Sequence, residues 1–369
     1  MEASELHIGL IGPLPPPSGG MANQTRQLAG LLQQEGVAVT LVQTNAPYYP
    51  AWTGRVKGMR AICRLIPYLV RIWLSAKNVR LFHVMANSGW SWHLYAAPVI
   101  WIAWLRQKPV IINYRGGEAE KFFSQSFFWV RPSLRRVTTI LVPSGFLQGV
   151  FKKFGFDTII IPNIINLERF FTQIEVNTKK KSDPHIIVTR NLEPIYDIMS
   201  AIHAFAIVRA NLPAARLTIA GSGPERSALE HLVTDLGLSG SVRFTGRLDN
   251  EMISALYQDA DVMINPSLVD NMPISILEAL ASGVPVVSTD VGGIPFLVTH
   301  EKNALLVPPA RPGVMAEAVL RVLNDPILAN HLVEEGVKLI QEYAWPNVRV
   351  RLLAAYQQVL NNHRHRNEA

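Results

Sequence analysis

The chain is 369 residues long and 49% hydrophobic, enough apolar material for about two domain cores. Its single cysteine, Cys63, excludes an internal disulfide framework and suits a reducing compartment. Its net charge of +7 is unevenly placed: residues 1–170 carry 18 Lys+Arg against 7 Asp+Glu, the remainder 17 against 21.

Taken in order, MEASELHIGLIG passes straight into a strand pattern at 7–12 without a basic leader, so no secretory signal is expected. A Pro-rich loop over 13–17 leads to Ser18-Gly19-Gly20 and a helix over about 21–35, with Leu28, Leu31 and Leu32 on its apolar side. The turn at Gly36 and a strand over 37–42 complete a βαβ unit. Gly19 and Gly20 let a phosphate or sugar approach the backbone just ahead of a helix start. A loop that merely needs small residues explains the pair equally well, because the full G-x-G-x-x-G spacing is absent.

The stretch 52–80 interleaves Arg55, Lys57, Arg60, Arg64, Arg71, Lys77 and Arg80 with Trp52, Ile62, Leu65, Leu69, Ile72, Trp73 and Leu74. Two readings stand: docking on an anionic bilayer, or a surface helix burying its apolar side in its own domain. Nucleic acid is not expected as a partner, since no zinc-finger spacing or RNA-recognition aromatic motif is present. Strands follow at 81–85, 110–113, 139–142 and 159–161, each running into turn chemistry: Asn87-Ser88-Gly89, Arg115-Gly116-Gly117, Pro143-Ser144-Gly145 and Pro162-Asn163. The apolar run 94–105 is too short to span a bilayer, which takes roughly 20 residues, and is expected as a buried helix. His83 is expected as a packed or hydrogen-bonded strand residue, with a place in an acceptor cleft as the alternative.

A polar segment over 172–184, with Lys179-Lys180-Lys181, reads as a linker. Beyond it the alternation resumes: strand 186–189 meeting Arg190, helix 198–210, strand 216–220 entering Gly221-Ser222-Gly223-Pro224, helix 225–236, strand 242–245 and helix 250–258. The apolar run Val262-Met263-Ile264 then breaks at Asn265-Pro266-Ser267, and a loop delivers Asp270 before a helix that begins near Pro273. Glu278 follows eight residues after Asp270, Gly283 stops the helix, and 284–288 is the next strand. Free amides between Asn271 and Ile274, through Met272 and Pro273, would suit a diphosphate, and Glu278 a ribose hydroxyl pair. The plainer alternative is an ordinary capped helix with a solvated carboxylate.

These pieces together carry a resemblance. PPPSGGMANQTRQLAGLLQQEG, VPSGFLQGVFKKFG with IPNIINLERF, LTIAGSGPERSALE, VRFTGRLDNEMISALYQDADVMINPS, NPSLVDNMPISILEALASG, and DVGGIPFLV with NALLVPP stand in the order and spacing of a family 4 glycosyltransferase. The resemblance implies an α/β chain of the GT-B fold: two doubly wound Rossmann-like domains, an interdomain cleft and a C-terminal crossover helix. The implied domains are 1–171 for the acceptor, completed by 346–369, a linker at 172–184, and 185–345 for the nucleotide sugar. It implies a retaining, metal-independent transfer from a UDP- or GDP-type sugar, used as co-substrate with no cofactor. The acceptor would be a saccharide or lipid-linked intermediate in cell-surface polysaccharide or glycoconjugate synthesis. The expected location is cytoplasmic, with peripheral contact to an anionic membrane as a further expectation.

By position, Asp270 and Glu278 match the paired acids of E-x7-E, the first against the donor sugar and the second against the ribose. Arg190 matches the basic residue that faces the diphosphate, and Gly19 and Gly20 the loop that closes over the phosphates. Gly221, Asn271, Met272, Pro273 and Ile274 join the donor set; His83, Asn87 and Glu118 are candidates for the acceptor side. Departures are equally specific. Ile195 stands where a lysine is usual, Arg115 where many relatives carry a histidine, Phe296 in place of a glutamate and Asn166 in place of an aspartate. Arg115 is therefore expected to supply the missing positive charge. The rival reading is a catalytically weakened sugar-nucleotide-binding or scaffold subunit; a GT-B epimerase or phosphorylase is a more distant one. Asp259-Ala260-Asp261 is a literal D-x-D, but it precedes a strand rather than following one, so no metal is assigned to it.

Overall fold

The structure, a computed structural model, describes residues 6–16, 19–48, 52, 56, 59–170 and 183–368, with backbone alone for 59–62 and 366–368. Most of the expected linker, 172–182, lies outside the described residues, as do Arg55, Lys57 and the side chain of Arg60. The chain divides into two compact units, 1–164 with 348–369, and 165–347.

The first unit is built on six strands: β1 (His7–Gly12), β2 (Ala38–Gln43), β3 (Leu81–Ala86), β4 (Val110–Tyr114), β5 (Thr139–Val142) and β6 (Ile159–Ile160). They pair in parallel in the order β2-β1-β3-β4-β5-β6. Every residue of β3 and β4 is buried, as expected of strands covered by helices on both faces. The helices are α1 (Gly20–Gln34), α2 (Met59–Ser75), α3 (Ala97–Leu105), α4 (Ala119–Leu134) and α5 (Gly145–Lys153). A single π-helical turn, Trp92–Ala96, leads into α3. The core between sheet and helices draws on Ile11, Tyr68, Ile72, Phe82, Trp92, Ile112 and Phe151. One expectation is corrected here: α3 is not a buried helix. Only Val99, Ile100 and Ala103 lie fully inside, while Trp104 and Leu105 are exposed, because no element among the described residues covers its outer side.

The second unit opens with α6 (Leu167–Phe170) and carries β7 (His185–Val188), β8 (Arg216–Ala220), β9 (Val242–Gly246), β10 (Val262–Asn265), β11 (Val286–Thr289) and β12 (Leu305–Val307). Their parallel order is β12-β11-β10-β7-β8-β9. Read from the other edge, this is the doubly wound dinucleotide-binding order, and its switch point lies between β7 and β10, where ligands of such sheets gather. The helices are α7 (Ile198–Asn211), α8 (Arg226–Asp235), α9 (Asn250–Asp259), α10 (Ile274–Ala281), α11 (Pro312–Asn324) and α12 (Pro326–Ile340). The last helix, α13 (Trp345–Glu368), belongs from Val348 onward to the first unit.

Candidate functional site

In the second unit, the loops that leave β7, β8, β10 and β11 are stitched together at the carboxyl end of the sheet. Leu268 N donates to Ile195 O at 2.8 Å, Leu192 N to Ser222 O at 3.2 Å and Gly293 N to Asp270 O at 2.8 Å. Three glycines make this approach possible. A Cβ on Gly221 would lie 1.9 Å from Arg190 O, one on Gly223 2.1 Å from Leu192 O, and one on Gly293 1.7 Å from Asn271 O. Beneath the loop, Asn265 Nδ2 donates to Ser288 Oγ at 2.9 Å, Ser267 Oγ to Asn265 Oδ1 at 3.2 Å, and Thr289 Oγ1 to Ser267 O at 2.6 Å.

Because β7 and β10 are neighbours, residues just beyond their ends meet. Arg190 Nη2 forms an ion pair with Asp270 Oδ2, each side chain only 11% exposed. Arg190 Nη1 also reaches Ser275 Oγ at 3.4 Å, and its guanidinium carbon lies 4.0 Å from the centre of the Tyr196 ring, a cation–π stack. Its Nε is buried and has no hydrogen-bond partner among the described residues, an open donor at this junction. Asp270 Oδ1 accepts from Met272 N at 3.1 Å, which fixes the carboxylate beside the start of α10. Pro273 is the N-cap of that helix and offers no side-chain cap, so its first turn keeps amide donors and the positive end of its dipole for a ligand.

Glu278 lies one turn into α10, and Tyr257 Oη of α9 donates to it at 3.1 Å. Burial pushes its carboxyl up from 4.5 to about 7, against the opposing pull of Tyr257, Arg169 and Arg190. Tyr257 is itself fixed by Thr189 Oγ1 at 2.7 Å and Ser275 O at 3.2 Å. Arg190, Asp270, Asn271, Met272, Pro273, Ile274 and Glu278 thus come together on one loop–helix junction, with Gly221 beneath Arg190. Tyr196, Tyr257, Ser275, Gly292 and Gly293 complete it and were not singled out from sequence, because nothing local marks a tyrosine that acts on a carboxylate 21 residues on. The D-x-D pair is engaged structurally: Asp259 Oδ2 pairs with Arg216 at 2.8 Å, and Asp261 Oδ2 accepts from His185 N at 2.8 Å. Among the described residues, no group of three His, Cys, Asp or Glu is placed to hold a metal.

In the first unit, Gly19 is the extended N-cap of α1, and a Cβ there would meet nothing within 4 Å among the described residues; Gly20 opens the helix. Asn87, at the end of β3, accepts through Oδ1 from Ser88 N at 2.8 Å, and the exposed Glu118 pairs with Lys121 at 3.0 Å. Arg115, just past β4, donates from Nε to Asn113 Oδ1 at 3.1 Å and from Nη1 to Asn163 Oδ1. Burial lowers its guanidinium to about 10, still fully charged at neutral pH. His83 has no exposed surface, so a place in an acceptor cleft gives way to the packed reading. It joins Arg115 to the last helix: Asn113 Nδ2 lies 3.1 Å from His83 Nε2, and His83 Nδ1 lies 2.7 Å from Tyr356 Oη. An arginine only donates, so Asn113 must present oxygen to Arg115 and nitrogen to His83. His83 Nε2 then accepts, and its proton sits on Nδ1, donated to Tyr356. Burial, reinforced by Arg115, holds this imidazole down at about 3, neutral across the physiological range.

The profile described as "Glycosyltransferase Family 4" matches residues 18–169, and the one described as "Glycosyl transferases group 1" matches 170–339. An uncharacterised glycosyltransferase of Methanocaldococcus jannaschii is 38% identical over 144 residues, 39% of this chain and 37% of that one, so the match spans little over a third of that relative's length. The phosphatidyl-myo-inositol mannosyltransferase of Mycobacterium leprae is 23% identical over 96% of this chain and 97% of its own. Among solved structures, Anabaena HepE in complex with UDP superposes with a TM-score of 0.74 over 96% of this chain and 100% of that one, at 17% identity, a likeness of fold. With two profiles of one family covering residues 18–339 in sequence, the chain belongs to the family 4, group 1 glycosyltransferases of GT-B fold.

Proposed function

We propose that this glycosyltransferase moves a sugar from a nucleotide-diphosphate donor to a saccharide or lipid-linked acceptor with retention of anomeric configuration and without a metal, in the synthesis of a cell-surface polysaccharide or glycoconjugate. The observation that carries the reading is the junction of Arg190, Asp270 and the uncapped start of α10, with an unpartnered Arg190 Nε among the described residues. In this assignment the donor diphosphate takes Arg190 and the amides of Asn271 and Ile274 on either side of Met272 and Pro273, where a guanidinium and a helix N-terminus stabilise charge as it develops on the leaving oxygen. Asp270 lies against the donor sugar, and Glu278 receives the ribose hydroxyls as a carboxylate. The anomeric C–O bond to phosphate breaks, the acceptor oxygen bonds on the same face, and its proton passes to the departing phosphate oxygen.

The first unit binds the acceptor in this reading, with Asn87 and Glu118 on the loops after β3 and β4. Its basic composition suits an anionic, lipid-linked molecule. Gly19 and Gly20 close over the phosphates, and Arg115 adds the positive charge that Ile195 does not. Uridine nucleotides head the list of donors because HepE was solved with UDP.

One observation favours the alternative of a binding or scaffold subunit: with Ile195 in place of a lysine, Arg190, the arginine assigned to the diphosphate, is already paired with Asp270. A panel of UDP-, GDP- and ADP-sugars assayed for hydrolysis and transfer decides between them. Turnover that falls at least about a hundredfold in Arg190→Ala, the usual scale for losing one such donor, supports the enzyme. Tight nucleotide binding without turnover supports the subunit.

A further inference from the structure

α2 buries Tyr68 and Ile72 in the core of the first unit, which satisfies an ordinary amphipathic helix. It nevertheless shows a second apolar stripe to solvent: Ile66, Val70, Trp73 and Leu74, at 56%, 51%, 43% and 53% exposure. The stripe continues onto α3, which packs beside α2, and onto α4 beyond it. The Arg106 guanidinium lies 4.9 Å from the Trp73 ring centre, and that of Arg136 3.9 Å from Trp101 and 4.9 Å from Trp104. Trp101 and Trp104 are edge to face at 5.9 Å, and Trp101 Nε1 donates to Ser133 Oγ of α4 at 3.1 Å. One turn back from Ser133, Trp129 is 70% exposed beside the exposed Phe128. Tryptophan, aliphatic and arginine side chains are thus exposed together on three neighbouring helices, a kind of surface that monomeric proteins seldom leave uncovered.

Its charge points to the occupant. Between Glu35 and Glu118 the chain has no acidic residue but ten lysines and arginines, and none occurs between Glu120 and Asp157, where Arg131, Arg135 and Arg136 close α4. Burial lowers the Lys108 ammonium, and the nearby positive charges of Arg106 and Arg80 lower it further. A second copy would bring like charges together. A bilayer with anionic headgroups offers both what the tryptophans prefer, the interfacial layer, and what the cations need.

We infer that the outer face of α2, α3 and the carboxyl end of α4, from Ile66 and Trp73 through Trp104 to Trp129, docks on an anionic lipid bilayer. Arg64, one of the charges singled out from the sequence, is not part of this face: its guanidinium lies 4.0 Å from the ring centre of Tyr48. No helix among the described residues is long and apolar enough to cross a membrane, and the contact inferred here is made by the surface of α2, α3 and α4. It does not depend on the proposed donor chemistry, because vesicle binding is measured without nucleotide sugar.

The test is co-sedimentation of the full chain with vesicles of phosphatidylcholine alone and of phosphatidylcholine with an equal part of phosphatidylglycerol. Binding is expected to the mixed vesicles, falling with salt. Lys77→Gln/Arg106→Gln/Arg136→Gln should weaken it about a hundredfold, from the usual contribution of each basic residue near an anionic surface. Trp73→Ser/Trp104→Ser/Trp129→Ser should weaken it at least about tenfold by loss of apolar burial. Should the tryptophan variant fail to fold, quenching of wild-type tryptophan emission by brominated phosphatidylglycerol provides a second readout. Absence of vesicle binding, undiminished binding by both variants, or a dimer that the tryptophan substitutions dissociate would each overturn the inference.

Discussion

In the proposed donor site, Glu278 is the residue whose charge state would couple fold to ligand. Its folded carboxyl, near 7, stands above its ordinary 4.5, because burial disfavours the ion. The fold therefore prefers the protonated acid: its stabilising contribution is complete below about 4.5 and is lost as pH rises through about 7. Glu278→Gln is expected to raise the melting temperature at pH 8, by up to ~3 kcal/mol of stability if the whole shift is realised, and to leave it unchanged at pH 4. A ribose hydroxyl pair needs the opposite form. Nucleotide affinity of the wild type should fall as pH drops below about 7, and Glu278→Gln should flatten that dependence while weakening binding; calorimetric titration across pH 5.5–8.5, or about that span, reads both. His83 should add nothing to this profile, since at about 3 it stays neutral throughout.

At the scale of elements, two glycines separate packing from approach. Gly221→Ala would drive its Cβ into the carbonyl of Arg190. The loops after β7 and β8 would be pushed apart, lowering stability by about 2–3 kcal/mol and loosening nucleotide binding. Gly19→Ala meets no described residue within 4 Å and keeps an extended backbone, so its melting temperature should equal that of the wild type. A fall in turnover would then report the approach of phosphate rather than misfolding. The same contrast marks what sequence makes legible. The junction at 265–283 could be read because its signals are local: strand-forming Val262 to Ile264, Pro273 at the helix entrance, and Gly283, whose φ of +68° ends α10. The parallel alternation followed from short apolar runs and turn residues in both units. Tyr257 on Glu278, Gly293 against Asn271, and the path from Arg115 through Asn113 and His83 to Tyr356 could not be read, because each joins residues that only the sheet order brings together. The exposed tryptophans of α3 escaped for another reason: periodicity reports that residues are apolar, not whether anything covers them.

For the whole molecule, the decisive segment is the last helix. From Val348 it is part of the first unit, where Val348, Leu352, Ala355, Tyr356 and Val359 are buried and Arg349 pairs with Glu35 at 2.8 Å. At about 1.5–3 kcal/mol for each large apolar side chain buried, their removal is comparable to the entire stability of an ordinary domain, about 5–15 kcal/mol. A chain ending at Asn347 should therefore lose the cooperative unfolding of its first unit, while the second, whose sheet and whose junction of Arg190, Asp270 and Glu278 lie within 165–347, still melts as a unit. Scanning calorimetry with and without uridine diphosphate tests both this and the placement of the donor site. The surviving transition should rise with nucleotide concentration, because a ligand selective for the folded state stabilises it by mass action. If that transition ignored a nucleotide that shifts the full chain, the assignment of the donor to the second unit would fail.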